Sequence, residues 1–306
     1  MEADLDQVQQ ERLMQWCVDV LGPCELLSED KRIHGRSGVH RIGAASGRYY
    51  LKIYREASPW ELEVHCYEQW AQAFGNHAPR LIALHEEAPL AILVSELPGE
   101  ILLKADLSPE QERRVWTAAG QALANLHNLT TGVHFGPCHR DGSVVGRKIS
   151  DPVQYVSAEF ARLIAAGSKG GYLTAEELAV IREVDAMLPA FVGERPVPCH
   201  RDYGPDNWSV TSEGAWSGVI DFEFAYWDLR VADFSRYPHW EWIRRPDLLE
   251  AFFAGYGRPL TAQEEVQCMA LRIQYALGAI VWGRENSFFG FEGEGREALR
   301  HIARLL

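Results

Sequence analysis

The chain lacks any cysteine pattern that would commit it to metal or disulfide chemistry. Its six cysteines stand at 17, 24, 66, 138, 199 and 268, with no CxxC pair and no Cys/His set at zinc-ligand spacing. It also lacks a surplus of positive charge. Thirty Lys and Arg face 43 Asp and Glu, a formal net charge of −13. Non-specific nucleic-acid binding needs a basic surface and is excluded on that ground. Long apolar runs are missing too: the longest, around Tyr275 to Trp282, is too short to cross a bilayer. The acidic, polar start MEADLDQVQQER is unlike a signal peptide. There is no low-complexity segment and no solenoid-type repeat. These absences predict a reduced, cytoplasmic, soluble protein with no membrane partner, as a monomer or a homodimer. Most of its cysteines are then small core residues.

What is present is material for a substantial core: 306 residues, 47% hydrophobic, with 10 Trp, 11 Tyr and 12 Phe. The length suits one large domain or two lobes. Apolar spacing predicts an opening helix over 5–20. Glycines at 35, 38, 43 and 47 punctuate short runs ending in Tyr49-Tyr50-Leu51-Lys52-Ile53-Tyr54, a pattern of antiparallel strands joined by tight turns. Ser58-Pro59-Trp60-Glu61 reads as a capping box with Pro at the first helical position, opening a helix to about Phe74. Ala88 to Leu97 is an apolar strand, broken by Pro98-Gly99. Three more capping boxes, at Ser108, Thr174 and Thr261, each open a long helical pattern. The expectation is an α+β fold of two lobes. Residues 1–94 form a small N-terminal antiparallel-sheet lobe with a helix, 95–99 a hinge, and 100–306 a larger, mainly helical lobe.

The chemistry concentrates in His200-Arg201-Asp202-Tyr203-Gly204-Pro205-Asp206-Asn207, followed by Ile220-Asp221-Phe222-Glu223. An Asp, an Asn five positions on and a second Asp at the end of an apolar run form a phosphoryl-transfer set. Asp202 can accept the proton of an attacking hydroxyl. The amide oxygen of Asn207 and the carboxylate of Asp221 are hard ligands suited to Mg²⁺. Lys52, at the end of its strand, can reach the phosphates of a nucleotide. Glu63 is the carboxylate chosen to fix that lysine, because it shares the inward helical face with Tyr67 and Trp70, whereas Glu61 is read as occupied at the cap and Glu68 as facing solvent. The loop Gly35-Arg36-Ser37-Gly38 can cover phosphates with backbone N–H groups, through Gly35, Ser37 and Gly38, although it lacks a full GxGxxG. Ser95, Glu96 and Leu97 would face a purine edge with backbone groups, which cannot distinguish ATP from GTP.

A second His-Arg-Asp stands at 139–141, inside Pro137-Cys138-His139-Arg140-Asp141. Five residues after Asp141 comes Gly146 rather than Asn, and no second Asp follows on an apolar strand. The segment 137–146 is therefore read as a surface loop.

These motifs resemble the aminoglycoside phosphotransferase/choline kinase-like family, which shares the protein-kinase fold. The resemblance runs from about Arg32 to the C-terminal helices. It is carried by Leu51-Lys52, Glu63, Leu97-Pro98-Gly99-Glu100, Leu126-His127, Val197 to Asn207 and Gly218 to Glu223. It implies Asp202 as base, Asn207 and Asp221 as Mg²⁺ ligands, Glu223 as an aid to the metal or its waters, and Asp233 as a brace for the catalytic loop. Arg201 stands where many members carry Gly. Asp-Phe-Glu replaces the Asp-Phe-Gly of protein kinases, only eleven residues separate Asp221 from Asp233, and no Ala-Pro-Glu follows. A small-molecule acceptor is favoured over a peptide.

In that family the acceptor pocket is built from the helical lobe after Asp221. Here this region supplies Asp228, Glu241, Glu285, Glu292 and Glu294, among aromatics that include Trp227, Trp240, Trp242, Trp282, Phe288 and Phe289. Asp228, Trp227, Trp282 and Glu285 are the chosen candidates, since carboxylates with aromatic walls suit an amine-bearing alcohol. The Gly- and Phe-rich stretch Ser287 to Gly295 reads as a loop at the pocket mouth. The expected activity is transfer of the γ-phosphoryl group of ATP or GTP to a small hydroxylated molecule, cationic ones included, with an antibiotic of aminoglycoside or similar type first. The alternatives are a metabolic kinase of choline, ethanolamine, homoserine or a sugar, and a nucleotide-binding regulator without turnover.

Overall fold

Alternation along one strand sets up the N-terminal lobe. In β3 (Gly47–Tyr54), Tyr49, Leu51 and Ile53 point to one face of the sheet, where Leu13 and Cys17 of helix α1 (Gln7–Leu21) cover them. Tyr50, Lys52 and Tyr54 take the opposite face, towards the rest of the molecule. The computed structural model describes residues 7–30, 37–235 and 244–306. Around β3, strands β1 (Cys24–Asp30), β2 (Ser37–Ala44), β4 (Leu81–His85) and β5 (Ala91–Ser95) complete a sheet in the order β1-β2-β3-β5-β4. Every pairing is antiparallel, and Lys52 lies opposite Val39 on one side and Ile92 on the other.

Helix α2 (Ala57–Gln69) begins two residues before Pro59, the expected first helical position. Its N-cap is Glu56 and no side chain caps it, so the Ser58 capping box does not form. Glu61, expected at that cap, instead meets His139. The other three boxes form as read: Ser108 with Gln111, Thr174 with Glu177 and Thr261 with Glu264.

After β5 the chain passes through β6 (Glu100–Ile101), which pairs with β8 (Trp208–Val210) and through it with β9 (Trp216–Val219). A second ladder joins β7 (Val197–Cys199) to β10 (Tyr226–Asp228). Helices make up most of the remainder. They are α3 (Pro109–His127), α4 (Pro152–Lys169), α5 (Ala175–Arg182), α6 (Val184–Met187), α7 (Pro246–Tyr256), α8 (Ala262–Glu285) and α9 (Phe289–Ile302). Helix α9 corrects the expectation of a loop over 287–295. One glycine from each helix serves their packing: a Cβ on Gly295 of α9 would lie 2.5 Å from the Ala276 carbonyl of α8, and one on Gly283 of α8 would lie 2.7 Å from the Glu292 amide. No helix among the described residues is long and apolar enough to cross a membrane.

Two other close approaches fix the scaffold. The segment after α2 reaches β9, where the His77 carbonyl accepts the Val219 amide at 2.9 Å and the His77 ring donates from Nδ1 to the Ser217 carbonyl at 3.0 Å. Gly218 lies against that carbonyl with φ of 150°, and a Cβ there would sit 2.2 Å from the oxygen. Helices α3 and α7 cross at Gly120 and Gly255, where added Cβ atoms would lie 1.9 Å from the Phe252 carbonyl and 1.8 Å from the Thr117 carbonyl. Gly120→Ala must push these backbones apart, and overpacking of this kind costs about 1–3 kcal/mol. Gly293→Ala on α9 meets nothing within 4 Å, so it is expected to be neutral or to stabilise by up to about 1 kcal/mol. Chemical denaturation of the two variants checks both signs.

Candidate active site

The site forms where the inner face of β3 meets the ends of β7 and β9. Lys52 is 6% exposed. Its Nζ donates to both oxygens of Glu63, at 2.6 and 2.8 Å, and to Oδ1 of Asp221 at 2.9 Å. Tyr54, two residues along the same strand, donates its hydroxyl to Glu63 Oε2 at 2.5 Å. Burial alone would lower the pKa of the ammonium, but Asp221 and Glu63 outweigh it and hold Lys52 above its ordinary value, with Glu223 adding to the effect. Burial pushes the Glu63 carboxyl up, and Lys52 opposes that. One ammonium thus faces three carboxylates, an excess of negative charge that suits a divalent cation.

Asp202 and Asn207 sit on the loop between β7 and β8, and both are buried. The Asn207 amide nitrogen donates to Oδ2 of Asp202 and to its backbone carbonyl, both at 2.9 Å. That leaves the amide oxygen as the ligand atom on offer, the orientation required of a hard-cation ligand. The Ile220 amide donates to the Asn207 carbonyl at 2.9 Å, which sets Asp221 beside this loop. The donor set therefore fits Mg²⁺: an amide oxygen and a carboxylate from two backbone-linked segments, in a field of excess negative charge.

Two non-glycine residues here have left-handed backbone, Arg201 at φ 63° and Asp221 at φ 68°. Conformations of this kind persist only where the surroundings over-determine them. Asp233 supplies part of that restraint. Its carboxylate accepts the His200 amide at 3.0 Å and the Arg201 amide at 2.5 Å. His127 donates to the same group from Nε2 at 2.9 Å. Burial would raise the Asp233 carboxyl, but His127 and these amides hold it below the usual carboxylate range. The His200 ring accepts the Asp202 amide at Nδ1 and donates from Nε2 to the Ile220 carbonyl, at 3.3 and 3.1 Å. Phe222 packs between the His200 ring at 5.0 Å and Tyr67 of α2 at 5.3 Å, linking the Asp221 segment to the helix that carries Glu63. His127, Cys199 and Asp233 also cluster. The His127–Asp233 contact is a hydrogen bond and burial raises the Cys199 thiol, so the group is a hydrogen-bonded brace.

Asp141 lies elsewhere. Its carboxylate is exposed and accepts the amide and hydroxyl of Ser143, two residues on. Of the expected phosphate loop, Gly35 lies outside the described residues, and Ser37 and Gly38 begin strand β2. At the expected purine-facing segment, the Ser95 and Glu96 amides already donate to the carbonyls of Arg80 and Arg48, at 2.9 and 3.0 Å. The Glu96 carboxylate pairs with Arg41 at 2.6 Å. A base edge there would meet carbonyls and the N–H of Leu97, not the N–H groups of Ser95 and Glu96.

A cavity of about 290 Å³ opens beside the catalytic loop, with Arg201 in its wall together with Tyr155, Arg162, Asp228, Trp282 and Glu285. Arg201 stacks 3.8 Å over the Tyr226 ring and its Nε pairs with Asp228 at 2.7 Å. Asp228 therefore reaches the cavity already neutralised; it also accepts its neighbour's Leu229 amide at 2.7 Å. Trp227 departs from the expectation of a substrate wall. It is 9% exposed, its ring lies 4.9 Å from that of Trp70, and it is packed over Gly132 in the interior. Adjacent strand residues point to opposite faces, so the face that brings Asp228 to the cavity takes Trp227 away from it. Glu292 is likewise consumed, by Arg296 at 2.8 Å. Trp240, Glu241 and Trp242 lie outside the described residues. Sequence reasoning missed the cavity contributions of Tyr155 and Arg162, which come from α4; its start signal is Asp151-Pro152, with Gln154 donating its amide to the Asp151 cap.

Comparisons with known proteins agree with this architecture. The model of a family described as phosphotransferase enzymes matches residues 32–268. Among solved structures, the apo form of a thermostable mutant of aminoglycoside phosphotransferase APH(4)-Ia is similar with a TM-score of 0.73 at 14% identity, over 95% of this chain and 98% of that one. The GDP complex of wild-type aminoglycoside 2'-phosphotransferase-IIIa gives 0.69 at 12% identity, over 98% and 100%. The gentamicin–APH(2")-IIa complex gives 0.65 at 15% identity, over 97% of each. No curated protein sequence matches. Identities this low speak to the fold, which is the bilobal, protein-kinase-like one expected. With the family model spanning most of its length, the chain belongs to the phosphotransferase enzyme family and is a kinase-type enzyme.

Proposed function

We propose that the protein moves the γ-phosphoryl group of a nucleoside triphosphate to a hydroxyl of a small molecule. The observation that carries this reading is the Lys52–Glu63–Asp221 triad lying beside the Asp202–Asn207 pair. Lys52 would neutralise the nucleotide phosphates. Asp202 would take the acceptor's hydroxyl proton as the new O–P bond forms and the bond to the departing nucleoside diphosphate breaks. Asn207 and Asp221 would hold Mg²⁺, which when bound supplies positive charge to the phosphates. Solved relatives of this fold were determined with ADP and hygromycin B, and with GDP and kanamycin, which supports a nucleotide donor and an antibiotic-type acceptor.

The cavity narrows the acceptor. Among the described residues its wall carries three carboxylates, Glu159, Asp228 and Glu285, against two guanidiniums, Arg162 and Arg201. Glu159 pairs with Arg162 at 2.6 Å and Asp228 with Arg201 at 2.7 Å. Glu285 lines the same wall as Trp282, Tyr275 and Phe291, within electrostatic reach of Arg162, so the wall carries one carboxylate more than it has guanidiniums. We infer an acceptor with an apolar body and at most one ammonium, seated on aromatic rings, rather than a polycation.

Asp202→Asn is expected to keep nucleotide binding and to lose at least about 100-fold in turnover, whereas Asp141→Asn stays near wild type. Measurement of diphosphate release with Mg-ATP and Mg-GTP decides between them, and normal turnover in Asp202→Asn would overturn the assignment. Mass spectrometry of an acceptor panel tests the charge argument. Phosphorylation is expected on hydroxylated compounds of low charge with an apolar face. Trp282→Ala should raise the acceptor KM about tenfold through lost apolar contact, and Glu285→Gln should do so only for acceptors bearing an ammonium. A polycationic aminoglycoside as the best substrate would sink the acceptor reading and leave the phosphotransferase reading standing.

A further inference from the structure

The second His-Arg-Asp copy takes no part in the chemistry above, yet three of its contacts reach one helix, α2. His139 meets Glu61 through Nδ1 at 2.5 Å. The Arg140 guanidinium grips Glu68 with two hydrogen bonds, at 2.7 and 3.2 Å, and also pairs with Glu86 beyond β4. His65 donates from Nδ1 to the Arg140 carbonyl at 2.9 Å, and the guanidinium lies 5.9 Å from the Trp60 ring centre. Trp60, Glu61, His65 and Glu68 all belong to α2, and they bracket Glu63 over more than two helical turns.

The loop is rigid at its other end. Cys138 is fully buried, the His139 amide donates to Ser143 at 2.8 Å, and the Gly142 amide to His139 at 2.9 Å with Gly142 at φ 83°. The Asp141 carboxylate closes this turn by accepting from Ser143. The Gly136 amide donates to the Trp227 carbonyl at 2.7 Å, tying the loop to β10 of the helical lobe. A segment anchored in one lobe thus holds the helix of the other.

We propose that loop 137–142 is a brace for α2 that sets the position of Glu63 and, through it, of Lys52. His139 and Arg140 are then positioning residues for the phosphoryl transfer proposed above, on which this inference rests. Each ion pair is partly exposed and weak alone. Together they form a network with a two-pronged guanidinium contact at its centre, which fixes orientation as well as distance.

The test uses His139→Ala/Arg140→Ala in the full chain. Hydrogen exchange of residues 57–69 is expected to quicken at least tenfold, with α3 unchanged; unaltered protection of α2 would overturn the brace. Nucleotide KM is expected to rise about tenfold with acceptor KM unchanged. In a Lys52→Ala background the double substitution should add little to the loss of nucleotide affinity, because the brace acts through that lysine. A full, additive loss there would mean that the loop acts independently of Lys52 and would refute the positioning role. Should the double variant not fold, Arg140→Lys, which keeps the charge and loses the fork, carries the same readouts at smaller size. Quickened exchange in α2 together with a wild-type protein that releases no diphosphate would leave the brace standing and remove the phosphotransfer reading.

Discussion

A buried ammonium shared between carboxylates of two lobes is the constraint around which the rest is arranged. Taking Lys52, Glu63 and Asp221 out of water is costly, and only close, well-aligned contacts offset that cost. Losing one partner of such a set leaves an uncompensated buried charge, typically at about 3–5 kcal/mol. The β3 register, the depth of α2 and the end of β9 are therefore fixed together rather than separately. Tyr54 adds a donor to Glu63 from the same face of the same strand, so the sheet itself supplies half of the site. The arrangement remains electrostatically incomplete, with more carboxylate than ammonium, which is what a divalent ion and a polyphosphate would complete.

The catalytic loop answers to a second buried carboxylate. Asp233 holds two consecutive amides of that loop, and His127 orients Asp233 in turn. This matters because Arg201 departs from regular backbone and Asp221, across the site, does the same. Strained residues of this type cost about 1–3 kcal/mol each and survive where hydrogen bonds and packing leave no alternative. Arg201 shows why a long side chain is accommodated in a conformation that favours glycine. Its guanidinium leaves the catalytic crevice, stacks on Tyr226 and neutralises Asp228, so the same residue shapes the acceptor cavity.

The central residues were legible because their spacing is chemical. An Asp, an Asn and a second Asp after an apolar run cannot be rearranged without losing the ligand set, and the structure brings Lys52, Glu63, Asp202, Asn207 and Asp221 into one place. Glu63 followed from helical periodicity, and helices α3, α5 and α8 followed from their capping boxes. The misreadings arise where a distant partner overrides a local signal. Ser58 and Glu61 have the sequence of a cap, but Glu61 is claimed by His139, 78 positions away. Residues 287–295 have the composition of a loop, yet Gly295 lets α9 lie close on α8, where a larger residue would collide. Trp227 looked like a substrate wall by composition; strand alternation, visible only once β10 is known, turns it inward. Edge strands β1 and β4 escaped notice because neither alternates: β1 is largely exposed and β4 is half-buried along most of its length.

The junction at His77 and Gly218 has a mechanical consequence. Two hydrogen bonds and a backbone contact too close for any Cβ join the stretch after α2 to the strand that leads into Asp221. That edge of the crevice is closed whatever occupies it. If the two lobes part to admit a nucleotide, they do so as a book opens, with His77 and β9 on the spine and the free margin on the opposite side. Ligand exchange would then run through that margin.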